Sequence, residues 1–319
     1  MKIFKSKKAV LPPKVFIVEI TNHCNFRCSM CNYHSETVKG LTSLRKGSMD
    51  INLAKNLVDQ MAGFNSKIEV IFHGAGEPLL YKSLPELLNY AGRYENLSFG
   101  FLTNGMLLTR EKASEILKTR ISWIGFSLDG LDKEKFERYR IGADYETILE
   151  NVLNFLELNK KAGKKVFITV NMTVQEEMKD EVENFINFWI EKADQVTISP
   201  YRPIGSRISE LVDKDAKRIP CYMLHELMMI YWDGKAGLCC EDWYNDGEMG
   251  DLNKNSILEV WNNRKFRRHR RLHEKKLYRK VPLCENCNIW FNAIPVRFHD
   301  EKMNSEVTKN AWQYAYKKR

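Results

Sequence analysis

The stretch Val15-Phe-Ile-Val-Glu-Ile-Thr21-Asn-His-Cys24-Asn-Phe-Arg-Cys28-Ser-Met-Cys31 decides the reading of this chain. Its first half is an apolar run of the kind that forms a buried strand. Its second half sets three cysteines on one short loop. A cubane iron-sulfur cluster is normally held by four cysteines, so three leave one iron open to an outside ligand. A zinc knuckle completed by His23 or His34 suits the same loop.

Working outward, the run at 15–21 is followed by apolar runs at 68–73, 97–103, 121–128, 166–173 and 195–199, each separated by a helical pattern. Strands alternating with helices predict a parallel α/β sheet, and their near-continuous apolarity predicts strands buried on both faces. The helices carry punctuation: Ser48 and Asp50 before 51–61, which Gly63 ends; Ser83 and Pro85; Asp132; and Gly163 after the stripe Ile148, Val152, Phe155 and Leu156. The βα loops then open at one end of the sheet, where such folds place their chemistry. Past Pro203 the alternation stops. The expected division is a lead at 1–13, the α/β unit at 14–203, a small module at 204–299 holding five further cysteines, and a tail at 300–319 that docks as a short helix through Trp312 and Tyr314.

The composition, 44% hydrophobic and 29% charged over 319 residues, is that of a globular protein with a sizeable core. Two prolines, Pro12 and Pro13, interrupt the start before a signal-like segment can form, and no run is long and apolar enough for a membrane helix. Cytoplasmic residence follows as an expectation, and eight cysteines in a reducing compartment favour metal ligation over disulfides. Lys and Arg exceed Asp and Glu by nine, while residues 264–280 alone hold ten basic residues against the single acid Glu274. The rest of the chain is neutral by formal count, which makes nucleic acid an unfavoured partner.

The Cys24, Cys28 and Cys31 loop after the first strand resembles that of the radical S-adenosylmethionine (SAM) enzymes. The resemblance implies a partial (β/α)6 TIM-like barrel in which the three cysteines hold a 4Fe-4S cluster whose free iron chelates SAM. Reductive cleavage of SAM then gives a 5′-deoxyadenosyl radical that takes hydrogen from a substrate carbon. Later segments are similar to further family positions. Gly74-Ala-Gly-Glu-Pro78 looks like the glycine-glycine-glutamate-proline turn that receives the methionine ammonium, with Ala75 in place of the first glycine, beside Gly76, Glu77 and Pro78. Thr103 and Asn104, then Ser127 and Asp129, sit where the family faces ribose and carboxylate, and Asn171 lies on the fifth strand. Met30 stands where the family usually has an aromatic. An electron donor such as flavodoxin or ferredoxin is implied as a partner.

Cys221, Gly234, Cys239, Cys284 and Cys287 resemble the ligand pattern of SPASM and twitch extensions, which carry auxiliary iron-sulfur clusters. The cysteine separations of 18, 45 and 3 residues look like the single-cluster, 2-deoxy-scyllo-inosamine dehydrogenase type. One auxiliary 4Fe-4S cluster is the expectation, with an all-thiolate zinc site as the alternative. Cys240 is then left over, either as a small buried residue, as the ligand in place of Cys239, or as a hydrogen-atom donor to a substrate radical. Arg202, past the sixth strand, is a candidate for binding an anionic substrate or assisting deprotonation. Glu241 and Asp242 read as a solvated turn. The expected activity is oxidation or other modification of a small polar substrate such as a sugar, aminocyclitol or nucleoside. Alternatives are epimerisation through Cys240, peptide modification, weakened by the lack of a leader-binding segment before the barrel, and a metal-stapled scaffold that binds anions through 264–280.

Overall fold

The computed structural model describes residues 11–35, 45–201, 217–242, 245–285, 287, 290, 296–303, 305–310 and 313–318. The first six strands are β1 (Val15–Val18), β2 (Ile68–Phe72), β3 (Leu97–Thr103), β4 (Trp123–Ser127), β5 (Phe167–Val174) and β6 (Gln195–Pro200), and they pair in parallel in chain order. Between them run α1 (Ile51–Ala62), α2 (Leu84–Ala91), α3 (Arg110–Lys118), α4 (Lys133–Tyr139), α5 (Tyr145–Lys161) and α6 (Val182–Ile190). This is the parallel α/β core of a partial barrel. Asp50, Asp132 and Asp144 each accept backbone N–H bonds at a helix start. Ser83 makes no side-chain cap, and Pro85, second residue of α2, supplies a fixed φ that suits the first turn. Gly163, at φ +84°, stops α5 as expected, whereas Gly63 ends α1 in the ordinary right-handed region.

The strands are not buried equally on both faces. Phe16, Val18, Val70, Phe72, Phe99, Phe101, Phe126 and Val170 lie in the core under the helices. Their neighbours Ile17, Glu69, Ile71, Ser127, Thr169, Asn171 and Thr173 are only half-buried. The runs look continuously apolar because a few inner-face positions are also apolar, but the inner face of the barrel stays open and carries the polar side chains.

The chain past 203 extends this same sheet at both edges. The short helix α7 (Met223–Glu226) leads into β7 (Leu227–Ile230), which pairs parallel with β1, and β8 (Lys235–Gly237) and β9 (Gly250–Asp251) follow antiparallel. Gly234, at φ +82°, makes the β7–β8 turn, a conformation open to glycine. Helices α8 (Ile257–Trp261) and α9 (Arg264–Glu274) come next, α8 opened by a reciprocal Ser256–Glu259 capping box. At the other edge β10 (Val296–Asp300), β11 (Ser305–Asn310) and β12 (Gln313–Lys318) form an antiparallel meander, with β12 against β6. The tail is therefore strand and not the expected helix, since β6 offers a free edge whose backbone groups need partners. Trp312 and Arg202 lie outside the described residues.

Candidate functional site

The cysteine loop leaves the end of β1 and is clamped on three sides. The last residue of α4 and the turn after it run beside the loop: Arg27 N donates to Ile141 O and Ser29 N to Tyr139 O, both at 2.9 Å. From the β2 loop, Glu77 N donates to His23 O at 2.8 Å. From the end of β3, Asn104 Nδ2 donates to Asn25 Oδ1 at 2.9 Å. Phe26 anchors the loop in the core at 2% exposure, which leaves Cys24, Cys28 and Cys31 half-buried. Cys24 Sγ accepts from Phe26 N and Cys31 Sγ from Tyr33 N, amide-to-sulfur bonds of the kind that tune a thiolate wherever one ligates a metal.

The Gly74–Pro78 turn is built against this loop. A Cβ on Gly76 would lie 2.3 Å from Thr21 O and 2.6 Å from His23 O, so only glycine lets the two backbones meet. The buried Glu77 carboxylate works inside the protein, accepting from Thr103 Oγ1 at 2.6 Å, Asn104 N at 2.8 Å and Leu79 N at 3.1 Å. His34, one of the residues weighed as a zinc ligand, instead donates from Nε2 to Ala75 O at 3.0 Å. Asp129 is 1% exposed; its Oδ1 accepts from Thr173 N at 2.8 Å and its Oδ2 pairs with the Arg140 guanidinium at 2.7 Å. Ser127 and Asn171 face each other across β4 and β5 on the inner face. Thr103, Asn104, Glu77 and Asp129 thus spend their polar groups fixing the loops, while Ser127 and Asn171 stay half-buried on the inner face, Asn171 Nδ2 donating to Phe126 O at 3.3 Å.

Three groups here were not singled out in the sequence. Arg140 places its charge next to Cys28 and draws that thiol down against the burial that pushes it up to about 11. Its only sequence signal is Gly142, held at φ +95° where a Cβ would meet Asn25 O. Glu19, 2% exposed, accepts from Ala75 N at 2.8 Å and from Trp232 N at 3.5 Å, joining the Gly74–Pro78 turn to the β7–β8 turn. Burial pushes its carboxyl up to about 7. His73, at the inner-face end of β2, is held neutral by burial, down at about 4, and its Nδ1 has no partner among the described residues.

The second cysteine set converges. Cys221, Cys239, Cys284 and Cys287 all line one small pocket, walled by Leu224, Leu238, Leu283 and Trp290. Burial pushes Cys221 up to about 11, Cys284 up to about 12 and Cys239 well above its usual range, so a metal has to displace protons from buried thiols. His273 of α9 also lines the pocket and accepts from Cys221 N at 3.2 Å. Cys240 is not in that lining. It lies 3.6 Å from Met223 Sδ, in a cluster with Leu227 and the inner-face residues Val15 and Ile17 of β1. Asp242, expected in a solvated turn, is 1% exposed and accepts from Leu238 N and Gly247 N, so it shapes the Cys239-Cys240 turn. Among the described residues no three His, Cys, Asp or Glu side chains sit at single-ion spacing. The fit to iron-sulfur groups therefore rests on donor chemistry: three thiols on a clamped loop, and four in one apolar pocket.

The chain matches the model of the radical SAM superfamily over residues 18–188 and that of the SPASM iron-sulfur cluster-binding domain over 221–288. It is 22% identical over 277 residues to the S-adenosyl-L-methionine-dependent 2-deoxy-scyllo-inosamine dehydrogenase of Niallia circulans, covering 85% of this chain and 91% of that one. It is 29% identical over 169 residues to the Fe-coproporphyrin III synthase of Methanosarcina barkeri, of which it spans only 39%. Among solved structures, BtrN in complex with AdoMet and 2-DOIA superposes with a TM-score of 0.58 at 21% identity, over 86% of this chain and 93% of that one. No helix among the described residues is long and apolar enough to cross a membrane.

Proposed function

The chain belongs to the radical SAM superfamily and carries a SPASM iron-sulfur domain, and on that premise we propose that it dehydrogenates a hydroxyl group of a small polar substrate, a sugar, aminocyclitol or nucleoside. The observation that carries this reading is the pocket shared by Cys221, Cys239, Cys284 and Cys287, because a thiolate set of four suits one auxiliary cluster able to accept an electron. The match to a dehydrogenase along most of both chains supports it.

In this reading Cys24, Cys28 and Cys31 hold the cluster that binds SAM, which together supply a carbon radical strong enough to take hydrogen from an unactivated position. The protein binds and orients. Arg140 balances charge behind Cys28, and Glu77, Asn104 and residues 139–141 keep the loop in place. Ser127, Thr169, Asn171 and Thr173 offer donors and acceptors suited to a polyhydroxy substrate on the inner face. Oxidation also releases a proton, and Arg202 is the residue proposed to assist that deprotonation. Arg202 keeps its proposed role toward an anionic substrate. Cytoplasmic residence is part of the same proposal.

Anaerobic reconstitution with iron and sulfide tests the reading: about eight irons per chain and formation of 5′-deoxyadenosine are expected. About four irons, or zinc in their place, would refute the auxiliary cluster. Epimerisation is the second reading, favoured by Cys240 packing on Met223 and Leu227 without lining the four-cysteine pocket. Turnover in deuterated water separates the two. Solvent deuterium in the product of the wild type, lost in Cys240→Ala, supports the thiol donor, and equal formation of an oxidised product by both supports dehydrogenation.

A further inference from the structure

The cysteine sites leave the protein's charge unexplained, because the net charge of +9 equals the balance of residues 264–280 alone. That run is α9 and the turns after it. The helix is pinned from beneath: Phe266 and His273 are buried, and Arg270, 3% exposed, donates to Leu224 O and Trp261 O and stacks on Trp261 at 4.0 Å. Arg270 is thus a structural arginine and no part of the surface patch. Arg264, Arg267, Arg268, Arg271, Lys275 and Lys276 are exposed, and none has an acidic partner among the described residues. Elsewhere acids and bases balance by count, and several surface lysines are paired, as in Lys55–Glu86, Lys135–Glu181 and Lys133–Glu146. Six exposed cations without an acidic partner on one face, in a chain whose remainder is neutral by count, match an acidic surface.

The opposite side of the same helix touches the auxiliary pocket, through His273 on Cys221 N. We propose that the solvent face of α9 docks a small acidic one-electron carrier protein, of flavin or iron-sulfur type, beside the auxiliary site. This rests on the auxiliary-cluster reading above. In the proposed dehydrogenation one electron leaves the substrate radical for that site in each turnover. The oxidised carrier takes up this one electron, and no bond is made or broken. Nucleic acid fits the face less well, since Trp261, Phe266 and Tyr278 are buried and leave no aromatic of the run for base stacking. The partly exposed Leu277, at 39%, gives the basic face a small apolar contact of the kind protein partners use.

The experiment titrates reconstituted holoenzyme with an acidic flavodoxin and reads binding by fluorescence anisotropy. Affinity is expected to weaken at least about tenfold between roughly 20 and roughly 150 mM salt, as the charges are screened. Reversing Arg267→Glu, Arg268→Glu and Arg271→Glu together should weaken it about tenfold or more. Iron content and dithionite-driven 5′-deoxyadenosine formation should not change. Salt-insensitive binding by the wild type overturns the proposal without any variant, as does an unchanged affinity in the triple variant. So does displacement of flavodoxin by a short RNA that binds more tightly. About eight irons with no salt-sensitive docking overturns the docking alone. About four irons with docking intact removes the electron's source at this face and overturns the auxiliary reading instead.

Discussion

The Asp129–Arg140 pair gives the sharpest test of how the cysteine loop is held. Both groups are nearly out of water, at 1% and 8% exposure, and they meet at 2.7 Å, with Thr173 N supplying a further bond to the carboxylate. Replacing Arg140→Met leaves that carboxylate buried with one neutral donor, a situation worth about 3–5 kcal/mol of lost stability. Asp129→Asn leaves a buried guanidinium beside Cys28, at a similar cost of about 3–5 kcal/mol. The double variant buries no net charge, and its Asn side chain still offers an oxygen to Thr173 N. It should therefore be far less damaged than the sum of the singles, with a coupling of at least about 2 kcal/mol. Urea unfolding of the metal-free chain, followed by circular dichroism, measures all four corners of the cycle. Iron uptake by the folded variants then reports on the loop, because Tyr139 and Ile141, which bracket Arg140, carry its backbone bonds. Singles that add within about 0.5 kcal/mol would refute the claim that these groups neutralise one another.

Two further perturbations address neighbouring contacts. Gly76→Ala puts a methyl group against the carbonyls of Thr21 and His23, backbone atoms that cannot swing away, and should cost about 1–3 kcal/mol and reduce iron bound at the first cysteine set; Gly163→Ala, where no atom lies within 4 Å, is the control that loses stability without losing iron. Glu19 titrates at about 7 in the folded chain against 4.5 in a free side chain, so the folded state holds the extra proton between those values and its stability falls as pH rises through that window. The fall amounts to about 3 kcal/mol, and Glu19→Gln should flatten it in urea titrations from pH 4.5 to pH 7. An unchanged pH slope in that variant would show that another group is responsible.

The cysteine sets and the βα order were legible because their signals are local: Cys-x3-Cys-x2-Cys fits one loop, and caps such as Asp50, Asp132 and Gly163 act within a turn of where they stand in the chain. Arg140 and Glu19 were not, because their meaning depends on partners far away in sequence. Glu19 reaches Trp232 across 213 residues, and nothing in either segment announces the other. The tail misled for a different reason. Its alternation Gln313-Tyr-Ala-Tyr-Lys317 has the period of a strand, but a strand is stable only where an edge is available, and the edge belongs to β6.

That edge also explains how the two cysteine sets come to share one protein. A barrel of six strands that does not close exposes two backbone edges, β1 and β6, and each would pair with other chains if left bare. The C-terminal third covers both: β7 joins β1 and β12 joins β6. Covering β1 has the larger consequence, because the cysteine loop leaves that strand at its C-terminal end while β7, parallel to it, leaves at the same end into a turn from which β8 runs back antiparallel, bringing Cys239 toward the start of β7. Glu19 then bonds to both the Gly74–Pro78 turn and the turn after β7. The auxiliary pocket is therefore placed by the same pairing that protects the sheet edge, and a change that weakens β1–β7 pairing should disturb both sites together.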